Sequence, residues 1–196
     1  MPDPAATPPQ TARVANVANA LTLLRLLLVP VFGWALFQDD GQSTGWRVTA
    51  FVVFTVASIT DRLDGDLARR RGLVTEVGKM ADPIADKALT GTALVGLSVL
   101  DLLPWWVTIV ILVREAGVTL LRFWVIRHGV IPASRGGKLK TFVQSVAIGL
   151  YLLPLDDSLA TVAAWVMGAA VVLTVVTGVD YVARALALRR AADPRP

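Results

Sequence analysis

The sequence predicts an all-α integral membrane protein with six transmembrane helices, preceded by a short N-terminal segment that is either an amphipathic interfacial helix or a linker. The composition is the first reason, because 55% of the 196 residues are hydrophobic and soluble domains of this size are rarely so apolar. The second reason is that six long apolar stretches alternate with short polar or basic segments. Third, Lys and Arg are concentrated in alternate connecting segments, which is typical of multispanning membrane proteins.

The predicted elements follow one another with short connections. Residues 1–12 are rich in proline and lack apolar periodicity, which predicts a disordered tail. Residues 11–20 are weakly amphipathic and supply the interfacial helix or linker. The six apolar stretches cover approximately residues 21–37, 46–60, 84–100, 105–126, 141–155 and 159–182. They are predicted to form one membrane domain at residues 13–190, and a basic tail at 191–196 follows it.

The charged residues predict the orientation of these spans. With six spans both termini lie on one side, and most of the 19 Lys and Arg residues fall in segments on that side. The three opposite segments carry no Lys or Arg away from a span end. They do carry five acidic residues, Asp39, Asp40, Asp101, Asp156 and Asp157. The positive-inside rule therefore predicts a plasma-membrane protein with both termini in the cytoplasm.

The composition also excludes several kinds of chemistry. The chain has no cysteine, which excludes disulfides, thiolate zinc sites and cysteine nucleophiles. Its one histidine, His128, makes imidazole-rich metal sites and histidine-based triads improbable. The net charge of +4 fits cytoplasmic loops beside anionic lipids better than it fits a nucleic-acid partner.

The segment between the second and third spans concentrates carboxylates. Asp61 and Asp64 are three residues apart, while Gly78, Asp82 and Asp86 are spaced by four, so each group shares one face of a helix. Two helix ends would then carry two pairs of carboxylates towards each other at the cytoplasmic edge of the membrane. Such a cluster needs cations, and divalent metals are favoured because hard cations take oxygen ligands and bridge phosphates.

Each aspartate also has an ordinary structural interpretation. Asp82 followed by Pro83 is typical of a helix N-cap and a first-turn proline. Asp61 and Asp64 have arginines nearby in the sequence, with which they can form ion pairs on a solvated face. The complete spacing distinguishes the two interpretations.

That spacing resembles the signature of the CDP-alcohol phosphotransferase family. It is Asp61-x2-Asp64-Gly65-x2-Ala68-Arg69, then eight residues, then Gly78-x3-Asp82-x3-Asp86. The resemblance implies an integral membrane enzyme with six transmembrane helices, commonly a homodimer. Such an enzyme transfers a phosphatidyl or similar group from a CDP-linked donor to an alcohol and releases CMP.

The resemblance also implies roles for individual residues. Asp61, Asp64 and Asp82 would bind two divalent cations, Mg2+ or Mn2+, and Asp86 would share one metal and act as general base. Gly65, Ala68 and Gly78 would be small so that the cytidine nucleotide can approach, and Arg69 would lie near the donor or form a structural ion pair. The implied donor-binding set is Asn19, Thr22, Asp61, Gly65, Ala68, Arg69 and Gly78.

Cations in the second half of the chain suggest an acceptor that carries its own phosphate. Arg114 lies near the middle of the fourth span, where a charge is costly and usually functional. One interpretation is an ion pair with Glu115 or with a motif aspartate. Neighbouring helical residues point about 100° apart, which makes Glu115 a poor direct partner and favours a bound phosphate.

A basic segment after the fourth span adds further candidates. Residues 127–140 are predicted to be a cytoplasmic loop in which Gly136 and Gly137 provide flexibility. Its cations are either an ordinary positive-inside feature or ligands of the acceptor phosphate. Under the second interpretation the phosphate binds Arg114 and Lys138, with Ser134 and Lys140 as weaker candidates.

A wider resemblance covers roughly residues 16–150. It rests on Asn19–Arg25, Gly78–Lys87, Arg114–Glu115 and Ser134–Gln144. These stretches are similar to the family members that use CDP-diacylglycerol and sn-glycerol 3-phosphate. Alternatives within the family take phosphatidylglycerol or a phosphorylated inositol as acceptor, and a non-enzymatic membrane protein is a further alternative.

Overall fold

The computed structural model describes the backbone at residues 10–71, 76–125 and 135–192, and the side chains at 23–60, 87–121, 124 and 136–189. The described backbone is all-helical, as predicted, and contains six α-helices and one 3-10 turn. In order they are α1 (Gln10–Leu36), the 3-10 turn (Gln38–Gly41), α2 (Thr44–Arg71), α3 (Glu76–Val99), α4 (Trp105–Val125), α5 (Arg135–Leu152) and α6 (Asp157–Ala192). The chain divides into two compact units, Met1–Ala93 and Leu94–Pro196.

Three boundaries differ from the expectations. The segment 11–20 is neither a separate interfacial helix nor a linker, because α1 is continuous from Gln10 to Leu36. Extending a helix that has already started adds a hydrogen bond for each residue fixed, and no breaker interrupts this stretch before Pro30. The predicted tails at 1–12 and 191–196 lie largely outside the described residues and stay predictions.

The second difference concerns the predicted loop at residues 127–140. Its last part, Arg135 to Lys140, forms the first turns of α5. The Gly136–Gly137 pair is therefore helical, and the expectation that these glycines make a flexible loop was wrong. The physical reason is packing. Lys140 and Gln144 lie four residues apart on one face of α5 and are both buried, so that face already begins in the predicted loop.

The third difference removes one interpretation of Asp82. The helix α3 begins at Glu76, which places Asp82 and Pro83 inside it, and Asp82 is therefore not an N-cap. Membrane helices tolerate an internal proline where neighbouring groups satisfy the freed backbone carbonyl. The predicted helical spacing of Gly78, Asp82 and Asp86 is confirmed as three positions on one helix.

In the first unit, α1 packs along α2 through an apolar interface. The rings of Phe32 and Phe54 are tilted by 49° with their centroids 5.8 Å apart, a favourable aromatic arrangement. Buried alanines on both helices allow the backbones to approach each other: Ala35, Ala50 and Ala57. The connection between the helices is the 3-10 turn, where Asp39, Asp40 and Gly41 have positive φ.

In the second unit, α6 packs against both α4 and α5. Its buried face is made of small or hydroxyl-bearing residues and one methionine: Ala163, Met167, Ala170, Thr174, Thr177 and Ala185. Its exposed face carries large apolar residues, with Trp165 at 79% and Val179 at 64% exposure. Small residues inside and bulky apolar residues outside are typical of helices that pack within a bilayer.

Two contacts connect α4 to its neighbours in this unit. Near its beginning, Thr108 donates a hydrogen bond to the Leu94 carbonyl at 3.1 Å, and its oxygen lies 2.7 Å from that of Ser98. Near its end, the Arg189 guanidinium lies 4.5 Å from the centre of the Trp124 ring, a cation–π contact. The end of α6 is thereby joined to the end of α4.

Among the described residues, the segment Asp157–Arg189 is the one helix that is long and apolar enough by itself to cross a membrane. Shorter apolar segments lie in the first three helices, at Leu23–Leu36, Thr44–Thr60 and Lys87–Val99.

Candidate functional site

The aspartate motif divides between two helices. Asp61 and Asp64 lie in the last turns of α2, and Asp82 and Asp86 lie in the first half of α3. Their side chains lie outside the described residues, as do those of the other donor-site candidates and one acceptor candidate: Asn19, Thr22, Gly65, Ala68, Arg69, Gly78 and Ser134. Among side chains that the structure does describe, no group of three His, Cys, Asp or Glu could hold a metal.

A charged cluster in the second unit brings together residues from three helices. Arg114 Nη1 donates a hydrogen bond to Glu115 Oε1 at 2.9 Å, and Arg114 Nη2 donates to Thr177 Oγ1 at 3.0 Å. Lys140 Nζ donates to the same Glu115 oxygen. We call these four residues the Arg114 cluster. The Lys140 side chain is only 3% exposed and that of Arg114 16%, so the charges lie largely away from solvent.

This geometry corrects the expectation that Glu115 is a poor partner for Arg114. Their Cβ atoms do point in different directions, but both side chains are long enough to bend and meet. Lys140 on α5 explains this contact, because Glu115 Oε1 accepts hydrogen bonds from both Arg114 and Lys140 at once. A shared carboxylate makes charge-assisted hydrogen bonds with both cations, and these offset part of the cost of moving the charges out of water.

Two residues of α6 hold Arg114 in place. The Thr177 hydroxyl donates to the Leu173 carbonyl at 2.6 Å, which leaves its oxygen oriented to accept from Arg114. At Gly178, a Cβ atom would lie 3.1 Å from Arg114 Cγ. That distance is shorter than an ordinary van der Waals contact between carbon atoms, so glycine provides the space through which the Arg114 side chain passes.

Several buried polar atoms near these helix faces have no hydrogen-bond partner within the described part of the chain. They are Arg114 Nε, Gln144 Oε1, Thr174 Oγ1 and Tyr181 OH. Gln144 lies one turn after Lys140 on α5, and Thr174 and Tyr181 flank Thr177 on one face of α6. Buried polar groups normally have partners, so these faces have unused capacity for a polar ligand or water.

An open groove of about 580 Å³ runs between α4 and α6 and is lined in part by Arg114. Arg114 is the one charged residue of its lining, which is otherwise composed of Val, Leu, Gly and Ala. A groove of this composition suits membrane lipid better than it suits a polar metabolite.

The predicted acceptor residues are thus separated by the structure. Arg114 and Lys140 belong to one partly buried cluster, whereas Lys138 is exposed and Ser134 lies outside the described residues. Sequence reasoning missed Thr177 and Gly178. The available signal was a repeat of hydroxyl-bearing residues at 174, 177 and 181 within an otherwise apolar span.

Comparison with known proteins identifies the family. Residues 15–176 match the model of the CDP-alcohol phosphatidyltransferase family. A "Probable phosphatidylglycerophosphate synthase" of Mycobacterium tuberculosis (strain H37Rv) is 64% identical over 175 residues, covering 89% of this chain and 84% of the relative. A "CDP-diacylglycerol--glycerol-3-phosphate 3-phosphatidyltransferase" of Bacillus subtilis is 38% identical, covering 85% of this chain and 93% of the relative. A "Cardiolipin synthase (CMP-forming)" of Streptomyces coelicolor is 36% identical, covering 93% and 88%.

These matches agree with the resemblance of the aspartate motif and span both compact units. The family is membrane-bound and uses divalent metals, and its catalytic class is phosphatidyl transfer. The chain therefore belongs to the CDP-alcohol phosphatidyltransferase family and is a phosphatidyltransferase.

Proposed function

We propose that this enzyme transfers the phosphatidyl group from CDP-diacylglycerol to sn-glycerol 3-phosphate and releases CMP, as a CDP-diacylglycerol–glycerol-3-phosphate 3-phosphatidyltransferase. The names of the relatives at 64% and 38% identity support this assignment. The structural observation that carries it is the partly buried Arg114 cluster. It brings two cationic side chains, Arg114 and Lys140, to one carboxylate oxygen, and cations placed so close together are suited to an anionic acceptor.

The acceptor phosphate would be bound by Arg114 and Lys140 of the cluster, with Lys138 and Ser134 as further candidates. Arg114 has five N–H donors, and two of them are used in the described contacts with Glu115 and Thr177. An arginine with unused donors and a neighbouring lysine are well suited to phosphate oxygens. An acceptor without phosphate would leave this positive charge unused.

The aspartate motif would bind the donor. Four carboxylates on two helices suit hard divalent cations, and the chain offers neither thiolate nor clustered imidazole ligands. Two ions, Mg2+ or Mn2+, held by Asp61, Asp64, Asp82 and Asp86 would supply charge neutralisation at the donor pyrophosphate. The small residues Gly65, Ala68 and Gly78 would let the cytidine nucleotide approach, near Arg69, Asn19 and Thr22.

The transfer itself would be a direct displacement. Asp86 accepts the proton of the acceptor hydroxyl as that oxygen attacks the phosphorus of the phosphatidyl group. The bond from phosphorus to the bridging oxygen breaks, and CMP leaves with its electron pair. No cysteine is present to form a covalent intermediate, and the donor requires a site where lipid and cytosol meet.

The membrane arrangement we propose has six spans in one domain at residues 13–190, with both termini and the aspartate motif on the cytoplasmic side of the plasma membrane. The distribution of Lys and Arg supports it, as does the bulky apolar exterior of α6. The enzyme is proposed to act as a homodimer.

An acceptor panel tests the function. Purified protein in detergent micelles is given CDP-diacylglycerol, Mg2+ or Mn2+ and one acceptor, and CMP release is followed. We expect turnover with sn-glycerol 3-phosphate and almost none with phosphatidylglycerol, phosphorylated inositol or glycerol. Turnover with phosphatidylglycerol instead would contradict the proposal and favour cardiolipin synthesis, the activity named for the Streptomyces relative.

Substitutions in the motif extend this assay. Asp61→Asn, Asp64→Asn and Asp82→Asn should each remove nearly all activity in protein that still folds, and a chelator should do the same to the unaltered enzyme. Asp86→Asn should retain nucleotide binding better than turnover, since the base acts on the acceptor. Near-normal turnover in any of the first three variants would argue against metal-assisted transfer.

A further inference from the structure

Glu115 has no obvious place in a site for an anion. A carboxylate repels phosphate, yet this one lies within a cluster whose charge otherwise suits phosphate. A partly buried acidic side chain such as that of Glu115 is also costly in the middle of a predicted membrane span. Its presence therefore needs a reason beyond binding of the acceptor.

The hydrogen bonds suggest that reason. One oxygen, Glu115 Oε1, accepts from Arg114 Nη1 on the same helix and from Lys140 Nζ on α5. Two nitrogens that bond the same oxygen can be no farther apart than two hydrogen-bond lengths, roughly 6 Å. The carboxylate thus fixes the separation of the two cations, which would otherwise repel each other.

The second terminal nitrogen of the Arg114 guanidinium is fixed as well. Arg114 Nη2 bonds Thr177 Oγ1 on α6, and Gly178 leaves room for the stem of the side chain. The guanidinium is therefore held from two helices, and Lys140 reaches the same carboxylate from a third.

We infer that Glu115 is a positioning residue for the acceptor: it holds Arg114 and Lys140 at the separation at which both bind the acceptor phosphate, and it balances their charge when the acceptor is absent. The inference rests on the proposed function, because it concerns the same acceptor. It assigns the second phosphate contact to the buried Lys140 in preference to the exposed Lys138.

The substitution Glu115→Gln distinguishes positioning from attraction by charge alone, because the two predict opposite changes in the kinetic constants for the acceptor. It makes the cluster more positive by one charge, so an acceptor held by charge alone would bind more tightly and its KM would fall. Positioning predicts the opposite, a fall of about ten- to hundredfold in kcat/KM for sn-glycerol 3-phosphate. The KM for CDP-diacylglycerol should change much less. Glu115→Asp, which keeps the charge, should recover part of the loss.

A double variant separates positioning from a purely structural role. Lys140→Met removes a cation that bonds Glu115, and Glu115→Gln removes a carboxylate that bonds Lys140, so both single variants are expected to lose thermal stability. Combining Glu115→Gln with Lys140→Met removes both ends of the pair and should restore much of that stability. If acceptor kcat/KM recovered with it, Glu115 would be structural only and the inference would be wrong.

The matched control is Asp180→Asn, which breaks the exposed ion pair of Asp180 with Arg184 on α6. It should leave both kinetic constants unchanged, since exposed pairs contribute little. The unaltered enzyme distinguishes a failure of the proposed function from a failure of the role inferred for Glu115. Absence of turnover with sn-glycerol 3-phosphate would overturn the proposed function, whereas normal turnover with an unchanged or lowered acceptor KM in Glu115→Gln would overturn the inference alone.

Discussion

The α1–α2 pair and the α4–α6 group differ in the kinds of side chain that lie between their helices. The first pair packs mainly through aromatic and small apolar residues, such as Phe32, Phe54 and Ala57, although Arg25 of α1 is also buried. The second group buries Lys140 and two hydroxyl-bearing residues of α6, and it partly buries Arg114 and Glu115. Both are bundles of long helices with bulky apolar exteriors.

This difference predicts that substitutions in the α1–α2 pair affect mainly stability, whereas substitutions in the α4–α6 group affect mainly activity. Apolar packing contributes to stability in proportion to the area that it buries, so removing a large buried side chain lowers stability directly. A buried charged network is stabilising only while each member is satisfied, and replacing it with apolar residues is often neutral or favourable for folding. The charge in α4–α6 is consistent with the proposed binding of an anionic acceptor, and the two regions should respond differently to substitution.

The largest effect on stability is expected in the apolar pair. Phe32→Ala removes a fully buried ring that packs on Phe54, and the loss of a buried phenylalanine side chain costs about 3–5 kcal/mol. Thermal unfolding in detergent micelles should show a clear fall in midpoint. The partly exposed neighbour Val31 provides the control as Val31→Ala. Protein that remains folded should keep its KM for the acceptor. A large rise in that KM would contradict the view that acceptor binding depends on α4–α6 and not on the α1–α2 pair.

An intermediate effect, on activity, is expected from Gly178→Ala. The added methyl would lie 3.1 Å from Arg114 Cγ and must displace that side chain by a few tenths of an ångström. Such displacement should lower acceptor kcat/KM by about tenfold, with little change in the unfolding midpoint. Gly168→Ala on the same helix is the control, because its methyl would meet nothing within 4 Å. Equal kinetics in the two variants would show that Arg114 does not need its present position.

The smallest effect is expected at the beginning of α6, where a polar group is exposed rather than buried. Asp156 Oδ1 accepts from the Leu159 N–H at 2.9 Å and from the Ser158 hydroxyl at 2.8 Å, which makes Asp156 the N-cap of this helix. The Leu159 N–H first, and then Ser158, lower the pKa of Asp156 below its ordinary value of 3.8.

Because the folded pKa is lowered, the contribution of the Asp156 charge is present above about pH 4 and is lost as the pH falls through the folded pKa. Asp156→Asn keeps a capping oxygen but cannot titrate. Its unfolding midpoint should therefore lie slightly below that of the unaltered enzyme at pH 7 and approach it at low pH. A constant difference across this range would indicate that the charge is not involved.

The comparison also shows what the sequence could determine. The helical class, the approximate position of each apolar stretch and the helical spacing of the aspartate motif follow from local patterns. These are decided by neighbours within a turn or two, and composition is enough to recognise them. The family follows from the same motif, since its fixed positions lie at fixed gaps along two helices.

Only the tertiary structure decided the arrangement around Arg114. Sequence spacing argued against a contact between Arg114 and Glu115, yet the two meet because Lys140 arrives from a helix about twenty-five residues further along the chain. The start of α5 before Gly136 likewise depends on Lys140 and Gln144 being buried. Gly178 acquires its importance solely from the arginine that passes it on another helix. Such contacts join residues distant in sequence, and local periodicity contains no information about which long side chains will meet.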